Sequence, residues 1–153
     1  VRYGLKMEGK ELLGDYVATR GEGFGREAKR RILLGTYVLS AGYYDAYYGK
    51  ATSLRAHLTQ DLTKVFRDVD LLATPTMPAP AFKLGEKGDP LSLYLEDIFT
   101  VPANLTGMPA ISLPMGMVEK GGKMLPAGLQ FMAPHKEEGM LFSAGKRFLG
   151  ETA

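Results

Sequence analysis

Three observations predict an α/β fold. Apolar residues recur at helical spacing in three stretches before residue 70. A proline-punctuated extended segment follows at residues 71–80. Two β-capable runs, residues 110–113 and 127–132, then precede a closing helical stretch. Together these predict a mixed sheet flanked by helices. At 153 residues and 45% apolar composition, residues 1–153 fit one domain with a core of ordinary size. Three or so strands make a thin sheet for this much apolar surface, so the chain is expected to dock onto more protein.

In chain order, Leu12, Leu13, Tyr16 and Val17 share one helical face within residues 10–20, and Gly21-Glu22-Gly23 is expected to end that helix. Ahead of it, Val1-Arg2-Tyr3-Gly4 has neither an initiator Met nor a signal segment and reads as a strand end cut from something longer. A second helix runs from Arg26 through Ala28, Ile32, Thr36 and Leu39 to the interruption at Ala41-Gly42. A third, longer one carries Leu54, Leu58, Leu62, Val65, Phe66 and Val69. Leu71-Leu72-Ala73 reads as a short buried strand leading to an ordered loop, because the prolines at 75, 78 and 80 forbid a helix. Residues 91–99 have mixed helical character. Thr100 is placed to cap a short turn with Pro102 in its first positions, and Gly107-Met108-Pro109 closes it. The two β runs on either side of Glu119-Lys120-Gly121-Gly122-Lys123 predict a hairpin. The last helix, residues 136–149, places Leu141, Ala144 and Phe148 on one face.

Composition narrows the function. Lys and Arg number 19 against 17 acids, and the net charge of +2 lays down no broad footprint for DNA, RNA or anionic lipid. Cysteine is absent, which excludes disulfides, thiolate metal sites and a thiol nucleophile, and a cytoplasmic location is expected. No apolar run approaches the roughly 20 residues needed to cross a bilayer, so no membrane partner is expected.

Read as a complete enzyme, the chain is poor in chemistry. His57 and His135 stand singly on expected helices without a helical His partner, so they read as surface residues and no metal site is expected. None of the serines sits in a Gly-x-Ser-x-Gly elbow, and no glycine-rich stretch ends in Gly-Lys-Ser/Thr. Tyr43-Tyr44-Asp45-Ala46-Tyr47-Tyr48 has the residue type that stacks bases but no cation within it, which favours a packed helix start. Lys29-Arg30-Arg31 is a short basic run on a helix. Arg31 shares a stripe with Ala28, Gly35 and Val38, which points it toward packing and hence toward an anion. From spacing alone that anion is a structural one, with Glu27 four residues earlier as the helix partner; a ligand carboxylate is the other reading. Asp97, just before Ile98-Phe99 and the proline-bearing turn, reads from position alone as a helix-terminal acid.

Several segments in order nevertheless resemble a family. They are Thr19-Arg20-Gly21-Glu22-Gly23-Phe24-Gly25, Lys29-Arg30-Arg31-Ile32-Leu33-Leu34-Gly35-Thr36-Tyr37, Gly42-Tyr43-Tyr44-Asp45-Ala46-Tyr47-Tyr48 and Leu72-Ala73-Thr74-Pro75-Thr76. Phe99-Thr100-Val101-Pro102-Ala103-Asn104-Leu105-Thr106-Gly107-Met108-Pro109-Ala110-Ile111-Ser112-Leu113-Pro114 and Leu125-Pro126-Ala127-Gly128-Leu129-Gln130 complete the set. Together they resemble the C-terminal part of amidase-signature enzymes. The Gly-Phe-Gly, Lys-Arg-Arg and Tyr-Tyr-Asp-Ala-Tyr-Tyr segments are similar to those of the glutamine-hydrolysing subunits of tRNA-dependent amidotransferases.

The resemblance implies an α/β amidase fold in which a serine, a second serine in a cis peptide and a lysine hydrolyse glutamine. Those three are expected upstream of Val1, so the chain carries no catalytic residue and is expected to be inactive alone. Two residues match the family's substrate-binding positions: Arg31 for the glutamine α-carboxylate and Asp97 for its α-ammonium. The resemblance further implies partner subunits that take the ammonia to glutamyl-tRNA, with ATP and magnesium bound there, and contact with tRNA only through the complex. Two rival readings are a fragment of another amidase-signature hydrolase acting on simple amides, and a non-catalytic interaction module.

Overall fold

The structure, a computed structural model, describes residues 4–150 and divides into two compact units, Val1–Thr52 and Ser53–Ala153. Val1, Arg2 and Tyr3, read above as a strand end, lie outside the described residues.

The first unit is helical. α1 (Leu12–Gly23) passes Gly21 and ends at Gly23, the last residue of the expected stop. Phe24 then turns extended and donates its N–H to the Arg20 carbonyl at 3.2 Å. A glycine in a helix interior costs about 1 kcal/mol relative to alanine, which does not by itself terminate a helix. α2 (Arg26–Val38) follows after the extended Gly25. Thr19 is the one buried residue among those described in this unit. Its hydroxyl accepts from the Met7 N–H at 2.9 Å and donates to the Met7 carbonyl at 3.2 Å, tying the leading segment to α1.

The tyrosine segment is a π-helical turn, Tyr44–Gly49, that leads into α3 (Lys50–Val65). Its tyrosines are 41–53% exposed, so the packed helix start expected from sequence does not hold here. They pack on one another instead: Tyr37, Tyr43 and Tyr47 have ring centroids 4.3–6.5 Å apart, and Tyr44 lies 4.9 Å from Tyr48. A hydrogen bond with Tyr43 is the main reason that the Tyr37 hydroxyl sits above the ordinary tyrosine pKa.

The second unit is built on three strands, β1 (Leu72–Pro75), β2 (Ala110–Lys120) and β3 (Lys123–Met132), in the order β1-β3-β2. Both pairings are antiparallel. The expected hairpin is present and longer than its apolar runs suggested. Gly121 and Gly122 form its tip with φ of 60° and 75°, the pair of positive φ values that a two-residue hairpin turn of the favoured hand requires. Register shifts by one residue between Pro114 and Gly116, so Met115 is the extra residue of a bulge. Pro114 is tolerated because β2 is an edge strand.

Each face of the sheet has its own cover. α6 (Glu138–Phe148) lies over Ile111, Leu113 and Phe131: Phe148 meets Phe131 edge-on at 5.9 Å. A Cβ on Gly145 would sit 3.4 Å from Leu113, so the glycine permits close approach of helix and sheet. On the other face Met132, Ala103 and Met108 form a small core, with Leu62 of α3, Phe66 just past its end and Leu72 packed against it. The short α4 (Pro90–Tyr94), a 3₁₀ turn Leu95–Asp97 and α5 (Val101–Thr106) lie between β1 and β2 in the chain, and α5 supplies Ala103 to this core. Gly107 closes α5 at φ 72°, as its position after the proline-bearing turn suggested. Thr100 does sit at the N-cap position, but its hydroxyl donates back to the Asp97 carbonyl and makes no cap bond. His135 is in the turn before α6 and not on a helix; its Nε2 is 2.8 Å from the Thr106 carbonyl. No helix among the described residues is long and apolar enough to cross a membrane.

Candidate functional site

The polar chemistry of the second unit is concentrated on the sheet face under α5. Alternation along the strands puts Thr74, Gln130 and Ser112 in register across all three. Buried Gln130 is the centre of this row: its Nε2 donates to the Phe99 carbonyl at 2.8 Å and to Thr74 Oγ1 at 3.2 Å. Thr76, just past β1, shares a 2.7 Å hydrogen bond with the Ser112 hydroxyl and donates its N–H to the Gly128 carbonyl. Gly128 makes this possible, since a Cβ there would lie 2.7 Å from Thr76 Oγ1 and 3.0 Å from Ser112 Oγ. A polar cleft of about 440 Å³ opens here, lined by Thr76, Thr100, Asn104, Ser112 and Gln130 among others.

Asp97 ends the 3₁₀ turn, three residues ahead of Thr100 in the cleft lining, and does not itself line the cleft. Its backbone is held, because its carbonyl accepts from the Thr100 N–H at 3.0 Å and from the Thr100 hydroxyl at 3.2 Å. Two residues further on, Gln130 fixes the Phe99 carbonyl. The Asp97 carboxylate itself is exposed and makes no ion pair among the described residues. An ionised carboxylate makes charge-assisted hydrogen bonds with cationic donors.

Arg31 belongs to the first unit. The stripe it shares with Ala28, Gly35 and Val38 is not covered, and no residue of α2 is buried, so the packed position expected for it is corrected to an exposed one. Helical periodicity marks the less polar face but does not supply the element that would cover it. Arg31 Nε donates to Glu27 Oε1 at 2.9 Å, the helix pair that spacing favoured, and Arg30 lies 3.7 Å from the other oxygen of the same carboxylate. Both side chains of the Arg31–Glu27 pair are more than half exposed. Exposed helix pairs of this kind contribute only about 0.3–0.5 kcal/mol.

Glu96 was not singled out in the sequence, where it reads as one more acid beside Asp97. It is the one buried charged residue among those described, 8% exposed, and its carboxylate is paired with the Lys87 ammonium. The partners are nine residues apart with α4 between them, a separation at which no helical or strand periodicity brings side chains together. An apolar cleft of about 590 Å³, lined by the proline-rich segment after β1, reaches Glu96 from one side.

Known proteins are similar to this chain in sequence and in fold. The chain is 57% identical over 143 residues to a glutamyl-tRNA(Gln) amidotransferase subunit of Thermodesulfovibrio yellowstonii, covering 92% of this chain and 29% of that protein. It is 52% identical over 145 residues to the protein of the same name from Parvibaculum lavamentivorans, with 94% and 29% covered. The chain thus spans less than a third of the length of these curated relatives. The crystal structure of the glutamyl-tRNA(Gln) amidotransferase subunit of that name from Thermotoga maritima superposes with a TM-score of 0.60 at 46% identity, over 84% of this chain and 27% of that one. The amidase family model matches residues 3–142, nearly the whole chain, and on that match the chain belongs to the amidase family.

Proposed function

We propose that this chain is the substrate-recognition part of a glutamine-hydrolysing amidase subunit that supplies ammonia to a tRNA-dependent amidotransferase. The observation that carries the reading is Asp97, an exposed carboxylate on a turn whose backbone is held by Thr100 and followed by the Gln130 anchor. The names of the relatives support the glutamine and tRNA parts of it. In this reading Asp97 accepts from the α-ammonium of glutamine, and Arg31 exchanges Glu27 for the α-carboxylate. A guanidinium binds a carboxylate through two parallel N–H donors, and each bond is charge-assisted. Only a free amino acid carries both charged groups on one carbon, so the pair selects glutamine over a peptide or simple amide.

The acyl transfer itself belongs to the serine, cis-serine and lysine of the upstream part of the full-length protein. The serine attacks the side-chain amide carbon, backbone donors hold the resulting oxyanion, ammonia leaves, and water releases glutamate. The ammonia passes to partner subunits in the cytoplasm, where ATP and magnesium activate glutamyl-tRNA, so the tRNA is met through the complex and not by this chain.

The test uses the full-length enzyme containing this segment. Arg31→Ala is expected to lower kcat/KM for glutamine about 30-fold to 1,000-fold, the loss of about 2–4 kcal/mol of paired charge-assisted bonds, and lysine there recovers only part of it. Asp97→Asn lowers glutamine use as well, because an amide oxygen is a weaker acceptor for an ammonium. In both variants the ratio of glutamine to simple aliphatic amide hydrolysis falls. An unchanged ratio, with both substrates losing equally and the melting temperature reduced, sinks the assignment and leaves the two residues structural.

A further inference from the structure

The Lys87–Glu96 pair has no part in the recognition of glutamine as proposed, yet it is the most enclosed charged group described in the second unit. Glu96 has a side chain 10% exposed and Lys87 one 23% exposed, and the Lys87 ammonium also lies 5.0 Å above the centroid of the Phe82 ring. Between the two residues, Asp89 caps α4 through the Ser92 N–H at 2.9 Å, so the ion pair spans that short helix and ties the residues just before it to the 3₁₀ turn just after it. A carboxylate this far from water keeps its partner, since an unpaired buried charge is far more costly than a paired one. The pair therefore holds the start of the 3₁₀ turn in place.

Asp97 is the next residue. Its exposed side chain makes no ion pair among the described residues, so the place from which it reaches out depends on the backbone that carries it. On the C-terminal side that backbone is fixed by Thr100 and Gln130. On the N-terminal side the anchor is Glu96.

We infer that the buried Lys87–Glu96 ion pair is a positioning device for Asp97, which aims its carboxylate at the ammonium group of the amino-acid substrate. The inference rests on the assignment of Asp97 to that ammonium. Lys87 and Glu96 are positioning residues in it and touch no substrate.

The experiment is a double-mutant cycle in the full-length enzyme, with glutamine kinetics read as KM and kcat separately and hydrolysis of a simple aliphatic amide as the check on folding. Glu96→Gln is expected to raise the KM for glutamine about tenfold and to change kcat by no more than about twofold, because a misaimed group weakens binding before chemistry. In an Asp97→Asn background the same substitution is expected to add nothing, since a residue acting through Asp97 has nothing left to aim. Lys87→Arg keeps the pair and is expected to stay near the wild-type KM. Lys87→Gln, at the more exposed end of the pair, takes the place of Glu96→Gln if that variant does not fold. An equal rise in KM with and without Asp97 overturns positioning and leaves a purely structural pair, as does a wild-type KM in both pair-breaking variants. Asp97→Asn alone reports on the underlying assignment: if it spares glutamine use, the reading of Asp97 has failed and the positioning falls with it.

Discussion

Gly128 shows how a single atom governs the polar row. Its neighbours Thr76 Oγ1, Ser112 Oγ and Thr76 Cβ would lie 2.7, 3.0 and 3.2 Å from a new Cβ, and two of those atoms form the hydroxyl pair. Gly128→Ala is expected to destabilise the chain by about 1–3 kcal/mol, the usual range for overpacking, as read from the urea midpoint. Adding Thr76→Ala and Ser112→Ala should restore part of the loss, not all, because the Thr76 Cβ remains. A midpoint unaffected by Gly128→Ala would mean that the strands separate freely there. The glycine is visible in the sequence, but its reason lies on two other segments that periodicity does not bring together. Arg31 and Glu27 were legible as a pair because helical geometry alone brings residues four apart together. The exposure of Arg31 was not, since covering a face takes a second element.

Among the elements, α4 depends on one carboxylate. The Ser92 N–H, then the Ser92 hydroxyl, hold the Asp89 carboxyl below the usual carboxylate range. A group with a depressed folded-state pKa contributes stability that is present above its unfolded pKa, near about 4, and is lost as pH falls through the folded one. The Ser92 amide signal is therefore expected to move as pH drops below about 4, and Asp89→Ser should keep the cap while abolishing that dependence. A wild-type Ser92 signal that ignores acid would rule out the cap. The existence of every long helix and of the hairpin was legible, because each has a period or a turn signature of its own. The π-helical turn was not, since a tyrosine-rich run satisfies several helical geometries equally. The hairpin outran its apolar runs because Met115 and Met117 lie beyond the part of the sheet that α6 covers, where alternation no longer marks a strand.

At the scale of the whole molecule, apolar surface exceeds what the described residues cover. Ile32, Leu33 and Leu34 of α2 are 51–71% exposed and Leu54 of α3 is 70% exposed. Surfaces of this kind associate, so the isolated 153-residue chain is expected to show concentration-dependent sedimentation and to bind a hydrophobic dye. Monomeric sedimentation at all concentrations without dye binding would contradict this. The same chain is expected to release no ammonia from glutamine, because binding residues without the activated nucleophile give association at best. Ammonia release proportional to chain concentration after repeated purification would place a nucleophile within these residues. The α/β class was legible from the succession of helical and extended runs, whereas the order β1-β3-β2 was not, since no local signal says which hairpin strand receives β1.

That order has a kinetic consequence. β2 and β3 are joined by a two-residue turn and can zip from it, but Leu72 must find Met132 about sixty residues later. Closing a loop that long is slower than zipping a hairpin, and its entropy is lost before any contact repays it. The four pairs of β1 are therefore expected to form last in refolding and to release their amides first in native-state hydrogen exchange, ahead of the hairpin. Because β1 carries Thr74 to Gln130, the amide that fixes the Phe99 carbonyl acquires its second partner only at this final step, and the turn bearing Asp97 matures with it.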